Sequence, residues 1–194
     1  MDQKTALDVL KLGYNVYLTG PAGSGKTWLL NKYINYLKSK GVEVAITAST
    51  GIAATHMNGI TIHSWSGIST KRILSSKDFR KIGRSNIIRK RIKKTGVLII
   101  DEVSMLHAFQ LDNVDQVLRH FREPFMAFGG LQVVLCGDLF QLPPVNKTME
   151  PTRMVFQSEA WNKANFRICY LEEQKRQTDP RMIKLQDILY RCEV

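Results

Sequence analysis

Lys26 and Thr27 end the run Gly20-Pro21-Ala22-Gly23-Ser24-Gly25-Lys26-Thr27, which fits the spacing G-x-x-x-x-G-K-[ST]. Glycines at 20, 23 and 25 let a backbone wrap closely around phosphates, whose charge is met by N–H groups and a helix start. In a loop of this kind Lys26 reaches the β- and γ-phosphates, and Thr27 turns its hydroxyl to magnesium. Ser24 completes the candidate cofactor-binding set. A second pair of groups, Asp101-Glu102, ends an apolar run. One carboxylate suits the magnesium shell, and Asp101 is assigned there. Its neighbour Glu102 suits a general base for the attacking water, because successive side chains at a strand end point to different parts of a site. Such a pair is weak alone, but beside the glycine loop it points to hydrolysis of ATP with Mg2+. Gly137-Asp138 and Gln141 follow another apolar run. Gln141 reads either as a γ-phosphate sensor or as a loop hydrogen bond, and Asp138 reads as structural.

These residues need a scaffold, and the hydrophobic pattern supplies one. Residues 2–12 form an amphipathic helix with Gly13 as its stop, and Asn15 to Thr19 a short strand. The glycine loop then opens a helix that ends near Gly41, so the loop sits between strand and helix. Val42 to Thr47 is a second strand, followed by a small helix containing Ala53-Ala54. Gly96 to Ile100 is continuously apolar, as strands covered on both faces are. Ser104 to Phe121 reads as helix, Gln132 to Cys136 and Arg167 to Leu171 as strands, 146–157 as an extended surface connection, and Pro180 to Tyr190 as a closing helix. The alternation predicts an α/β fold with a mainly parallel β-sheet flanked by helices.

The 194 residues suit one domain with a substantial core. The longest apolar runs fall far short of the roughly 20 residues that cross a bilayer, and no secretory or transit pattern opens the chain, so an intracellular protein is expected. Cys136, Cys169 and Cys192 lack metal-ligand spacing and read as reduced thiols, two of them in buried strands. The four histidines form no zinc motif. Net charge is +11, yet residues 71–94 hold eleven Lys or Arg against one acid, Asp78, and the rest of the chain sums to +1. This basic helical segment favours a polyanion, nucleic acid ahead of a membrane surface, unless it is merely a solvated face. Ile73, Phe79, Ile82, Ile87, Ile88 and Ile92 suggest that it packs partly on the domain.

The ordered segments GPAGSGKT, ASTGIAA (Ala48 to Ala54), TIHSWSGI (Thr61 to Ile68), DEVSM (Asp101 to Met105), GDLFQLPPV (Gly137 to Val145) and KRQ (Lys175 to Gln177) resemble the PIF-type DNA helicases of superfamily 1B, relatives of RecD. The resemblance covers nearly the whole chain. It implies a RecA-like P-loop NTPase domain of a 5′-to-3′ translocase on single-stranded DNA, serving DNA repair, recombination and telomere maintenance. It implies that Gln3 reads adenine and that Arg176 reaches the γ-phosphate, as an arginine finger does. Ser49, Thr50 and Gly51, with His63 and Ser64, fall in segments that contact DNA phosphates. Each keeps a plainer reading: Ser49-Thr50 as a helix cap, His63 as a packed loop histidine. Trp65 stands where the family more often has phenylalanine, and it reads as core rather than as a stacking surface.

Such helicases require a second RecA-like domain, and no motif of it appears before Val194, so residues 1–194 are expected to be the N-terminal motor domain alone, monomeric and weakly active. A nucleotide-gated module that grips DNA or protein without motor activity is the alternative. A small-molecule kinase is disfavoured, because STGIAA and GDLFQLPPV have no role in it.

Overall fold

The computed structural model describes residues 1–145 and 151–172. In chain order it runs α1 (Gln3–Lys11), β1 (Val16–Thr19), α2 (Lys26–Ser39), β2 (Val44–Ala48), α3 (Gly51–His56), β3 (Ile60–Thr61), α4 (Ile62–Ser66), α5 (Ser76–Arg84), α6 (Asn86–Lys94), β4 (Val97–Asp101), α7 (Ala108–Phe121), β5 (Gln132–Cys136), α8 (Glu159–Ala164) and β6 (Arg167–Tyr170). The strands form one sheet in the order β3-β2-β4-β5-β1-β6, and every pairing between them is parallel. All carboxyl ends therefore face the same edge, where loops of an α/β sheet collect ligands.

Continuous apolar runs become two faces because successive side chains alternate across a strand. Leu98 and Ile100 of β4 join the larger core with Trp65, Ile92 and the inner side of α7. Val97 and Ile99 turn the other way, to Leu10 of α1 and Leu29, Leu30 and Tyr33 of α2. Helices on both faces keep water from the sheet, which explains why β4 carries no polar residue before Asp101. Trp65 is buried, as expected of a core residue, and Cys136 and Cys169 are buried free thiols.

Several expectations are corrected. The short strand β3 was not foreseen, since two residues carry no periodic signal. The helix expected from Ser104 is broken: Val103–Met105 is a 3-10 turn, and α7 starts only at Ala108, where His107 and Gln110 close a capping box. Of the surface connection expected over 146–157, residues 146–150 lie outside the described residues, and 155–157 form a 3-10 turn before α8. The basic segment is two short helices; Ile82 and Ile92 are buried, but Ile73 and Ile87 stand in solvent at 83% and 74% exposure. Among the described residues no helix is long and apolar enough to cross a membrane. Cys192, Arg176 and the helix expected over Pro180 to Tyr190 lie outside the described residues.

Candidate functional site

Three neighbouring strands, β4, β5 and β1, deliver their following loops to one cavity of about 600 Å³, a size suited to a nucleotide. Its walls include Gln3, Gly23, Gly25, Lys26, Thr27, Glu102 and Gln141. Gly20, Ser24 and Asp101, adjacent in sequence to lining residues or to their loop, do not themselves line it. Ser24 is fully buried, and its backbone N–H already donates to Pro21 O at 3.2 Å. The glycine loop leaves β1 and enters α2 through Gly25, whose φ of 84° lies in the left-handed region. A Cβ at Gly25 would overlap the Gln3 amide. Gln3 is anchored in turn, its Nε2 donating to Ser24 O at 3.2 Å. The helix before the loop is thus locked onto the loop itself.

The Lys26 ammonium donates to Gly20 O at 2.6 Å and Pro21 O at 3.0 Å. A cation folded back on loop carbonyls, beside an exposed Thr27 and a cradle of backbone, fits a polyphosphate with its divalent ion. Among the described residues no three His, Cys, Asp or Glu side chains gather as a metal site. Asp101 and Thr27 are the groups here that suit magnesium, which takes few protein ligands when phosphates supply the rest.

Glu102 is the most constrained residue of the site. Its φ of 51° and ψ of 47° place a non-glycine residue in the left-handed region, a conformation that persists only when its surroundings impose it. Its N–H donates to Asp101 Oδ1 at 2.9 Å, and its carbonyl accepts from Ser49 Oγ at 2.7 Å. Burial pushes the Glu102 carboxyl above its ordinary value, the Asp101 charge pushes the same way, and Lys26 opposes both. Across the cavity, Gln141 Nε2 donates to Asp138 Oδ2 at 3.1 Å, while Asp138 Oδ1 accepts from Phe140 N at 3.1 Å. Asp138, buried at 2% exposure, therefore shapes the loop that carries Gln141. Trp28, half-exposed in the first turn of α2, also lines the cavity with Lys32 Nζ 3.9 Å from its ring centroid. Sequence reasoning passed over Trp28, although its place directly after Thr27 was a usable signal.

The remaining candidates sit farther along the same edge, after β2 and β3. Ser49 N–H donates to Asp101 O at 3.1 Å, extending the β2–β4 ladder by one rung. Thr50 Oγ1 accepts from Ala53 N at 3.3 Å and caps α3, so the capping reading holds for Thr50 but not for Ser49. Gly51 and Ser64 are exposed, and His63 is half-buried on α4. Gln110 spends its Oε1 on His107 N, which leaves its amide nitrogen 2.9 Å from His63 Nε2. That ring nitrogen therefore accepts, and burial holds His63 below the ordinary histidine range, in its neutral form.

Comparison with known proteins agrees with this arrangement. The profile of the PIF1-like helicase family matches residues 1–187. The ATP-dependent DNA helicase Pif1 of Psychrobacter sp. (strain PRwf-1) is 59% identical over 179 residues, covering 91% of this chain and 27% of that protein. The crystal structure of Pif1 helicase from Candida albicans superposes with a TM-score of 0.90 at 38% identity, over 96% of this chain and 43% of that one. Pif1 helicase from Bacteroides in complex with ADP-AlF3 and ssDNA gives a TM-score of 0.82 at 31% identity, over 99% of this chain and 46% of that one. The chain spans about a quarter of the length of the curated relatives it matches. With a family match over nearly its whole length and a shared RecA-like fold, this chain belongs to the PIF1-like helicases.

Proposed function

We propose that this chain is the N-terminal ATPase domain of a 5′-to-3′ DNA helicase, an intracellular translocase on single-stranded DNA completed by a second RecA-like domain. The observation that carries the reading is the convergence of Lys26, a strained and partly buried Glu102, and Gln141 on one nucleotide-sized cavity, with Gln3 at its rim. Support for the substrates comes from the Bacteroides relative, described with ADP-AlF3 and ssDNA.

The roles follow from chemistry and position. Lys26 exchanges its loop carbonyls for the phosphate chain of ATP, and loop N–H groups neutralise the remaining charge. Thr27 and Asp101 would hold Mg2+, which would screen phosphate charge. Glu102 takes a proton from the attacking water, helped by the burial that raises its proton affinity. Gln141, aimed by Asp138, contacts the γ-phosphate. Gln3 faces the adenine, and Arg176 supplies a further cation. Thr50, Gly51, His63 and Ser64 meet DNA phosphates along the β2–β3 end of the edge, with contacts that read no sequence. His63 can donate there only through Nδ1, since Nε2 is held by Gln110.

ATP binding and turnover by Glu102→Gln test the reading. Nucleotide affinity within about twofold and turnover lowered by at least about a hundredfold, the usual scale of general-base loss, are expected. Unchanged turnover sinks the motor reading and leaves a nucleotide-gated binding module.

A further inference from the structure

Ser49 lies in the segment expected to touch DNA, yet its hydroxyl is already spent. It is half-buried, and Oγ donates to the Glu102 carbonyl at 2.7 Å, across 53 positions of sequence. The Ser49 N–H donates to Asp101 O at 3.1 Å, so one residue grips both members of the carboxylate pair through their main chain. On its other side Ser49 adjoins Thr50, the cap of α3, and the exposed Gly51. Glu102 has a φ of 51° at this point, so the orientation of its carbonyl and the aim of its side chain are fixed together. A left-handed residue without glycine's freedom depends on such outside contacts to stay there.

We infer that Ser49 is a positioning residue that transmits DNA engagement at residues 50–51 to the Glu102 carboxylate, rather than a DNA ligand itself. The inference rests on the proposed motor function. Pulling on the backbone at Thr50-Gly51 shifts Ser49, and the two bonds from Ser49 carry the shift to the two peptide units that flank Glu102. Two sites on different strands become coupled through one rigid rung of the sheet and one hydroxyl, a contiguous physical link.

The test measures ATP turnover with and without a saturating dT oligonucleotide, together with oligonucleotide Kd and nucleotide KM, in the polypeptide carrying both motor domains. For Ser49→Ala the ratio of stimulated to unstimulated turnover is expected to fall about tenfold. The oligonucleotide Kd and nucleotide KM stay within about twofold, which also shows that the protein is folded. Ser49→Thr, which keeps the hydroxyl, restores the ratio. Thr50→Ala, which removes a hydroxyl that caps α3 and is proposed to meet DNA phosphate but leaves both Ser49 bonds in place, weakens oligonucleotide binding but keeps the ratio at saturation. A retained ratio in Ser49→Ala overturns the proposal. So does a loss fully recovered by more DNA, which makes Ser49 a ligand, or an equal fall with and without DNA, which makes it structural. If the unsubstituted protein shows no stimulation by DNA, the motor reading itself has failed instead.

Discussion

Glu102 carries the sharpest consequence for pH. Its carboxyl is raised by burial and by Asp101, so the ionised base is lost at a higher pH than for a free glutamate. The acid limb of kcat/KM, which follows the nucleotide-free protein, is therefore expected above the ordinary glutamate range, and Asp101→Asn, which removes a neighbouring charge, moves that limb down while lowering the rate. A pH–rate profile that stays fixed in this variant contradicts the electrostatic account. The same shift has a stability sign. A folded-state carboxyl with a raised value binds protons more readily than the unfolded chain, so its cost is fully present above the folded value. The cost is relieved as pH falls toward the unfolded value, and Glu102→Gln is expected to raise stability at neutral pH, read as a higher denaturation midpoint. Of these residues the sequence makes the identities plain and the states obscure. Asp101-Glu102 at the end of an apolar run is visible at once, whereas the left-handed turn at Glu102 and its bond to Ser49 depend on a strand 53 positions away.

At the scale of elements, the basic segment that holds α5 and α6 presents ten of its eleven cations to solvent, and only Arg91 is partly withdrawn. Arg72, at the start of that segment, lies over Phe109, which neighbours the Gln110 that holds His63, so the basic flank adjoins the edge proposed for DNA. Neutralising Lys90, Lys93 and Lys94 is expected to weaken single-strand binding and flatten its salt dependence, by about 0.7 in log–log slope for each phosphate that is no longer neutralised. An unchanged slope returns these helices to the role of a solvated surface. A second prediction concerns α7. Asp115, buried at 5% exposure, accepts the N–H of Phe128 at 2.6 Å, which fixes a 3-10 turn in which Phe128 itself takes a φ of 50°. Asp115→Ala strands that buried N–H and costs about 1–3 kcal/mol, measurable by denaturant unfolding. Elements set by local pattern, such as β1, the glycine loop and α2, were legible within a residue or two. Those set by distant partners were not: β3 exists because Ile60 and Thr61 find Thr47 and Ala48, and the break before α7 follows the turn at Glu102.

For the whole molecule, the site is one continuous edge running from His63 after β3, through Ser49, Glu102 and Gln141, to Lys26 after β1. If a second RecA-like domain supplies the other wall of the cleft, as proposed above, residues 1–194 by themselves are expected to bind ATP with magnesium, hydrolyse it slowly and leave duplex DNA intact. Vigorous DNA-stimulated hydrolysis by these 194 residues contradicts that division of labour. The strand order also dictates how the molecule is born. Among the described strands β1, which leads into the phosphate loop, is made before the others, but both of its neighbours are late: β5 begins at Gln132 and β6 at Arg167. For more than a hundred residues of synthesis, Val16 to Thr19 is an apolar strand without a partner on either side, the kind of edge that recruits other chains. Nascent chains stopped before Gln132 are therefore expected to be aggregation-prone and blind to nucleotide, with the ability to bind ATP arriving abruptly when β5 and β6 close around β1.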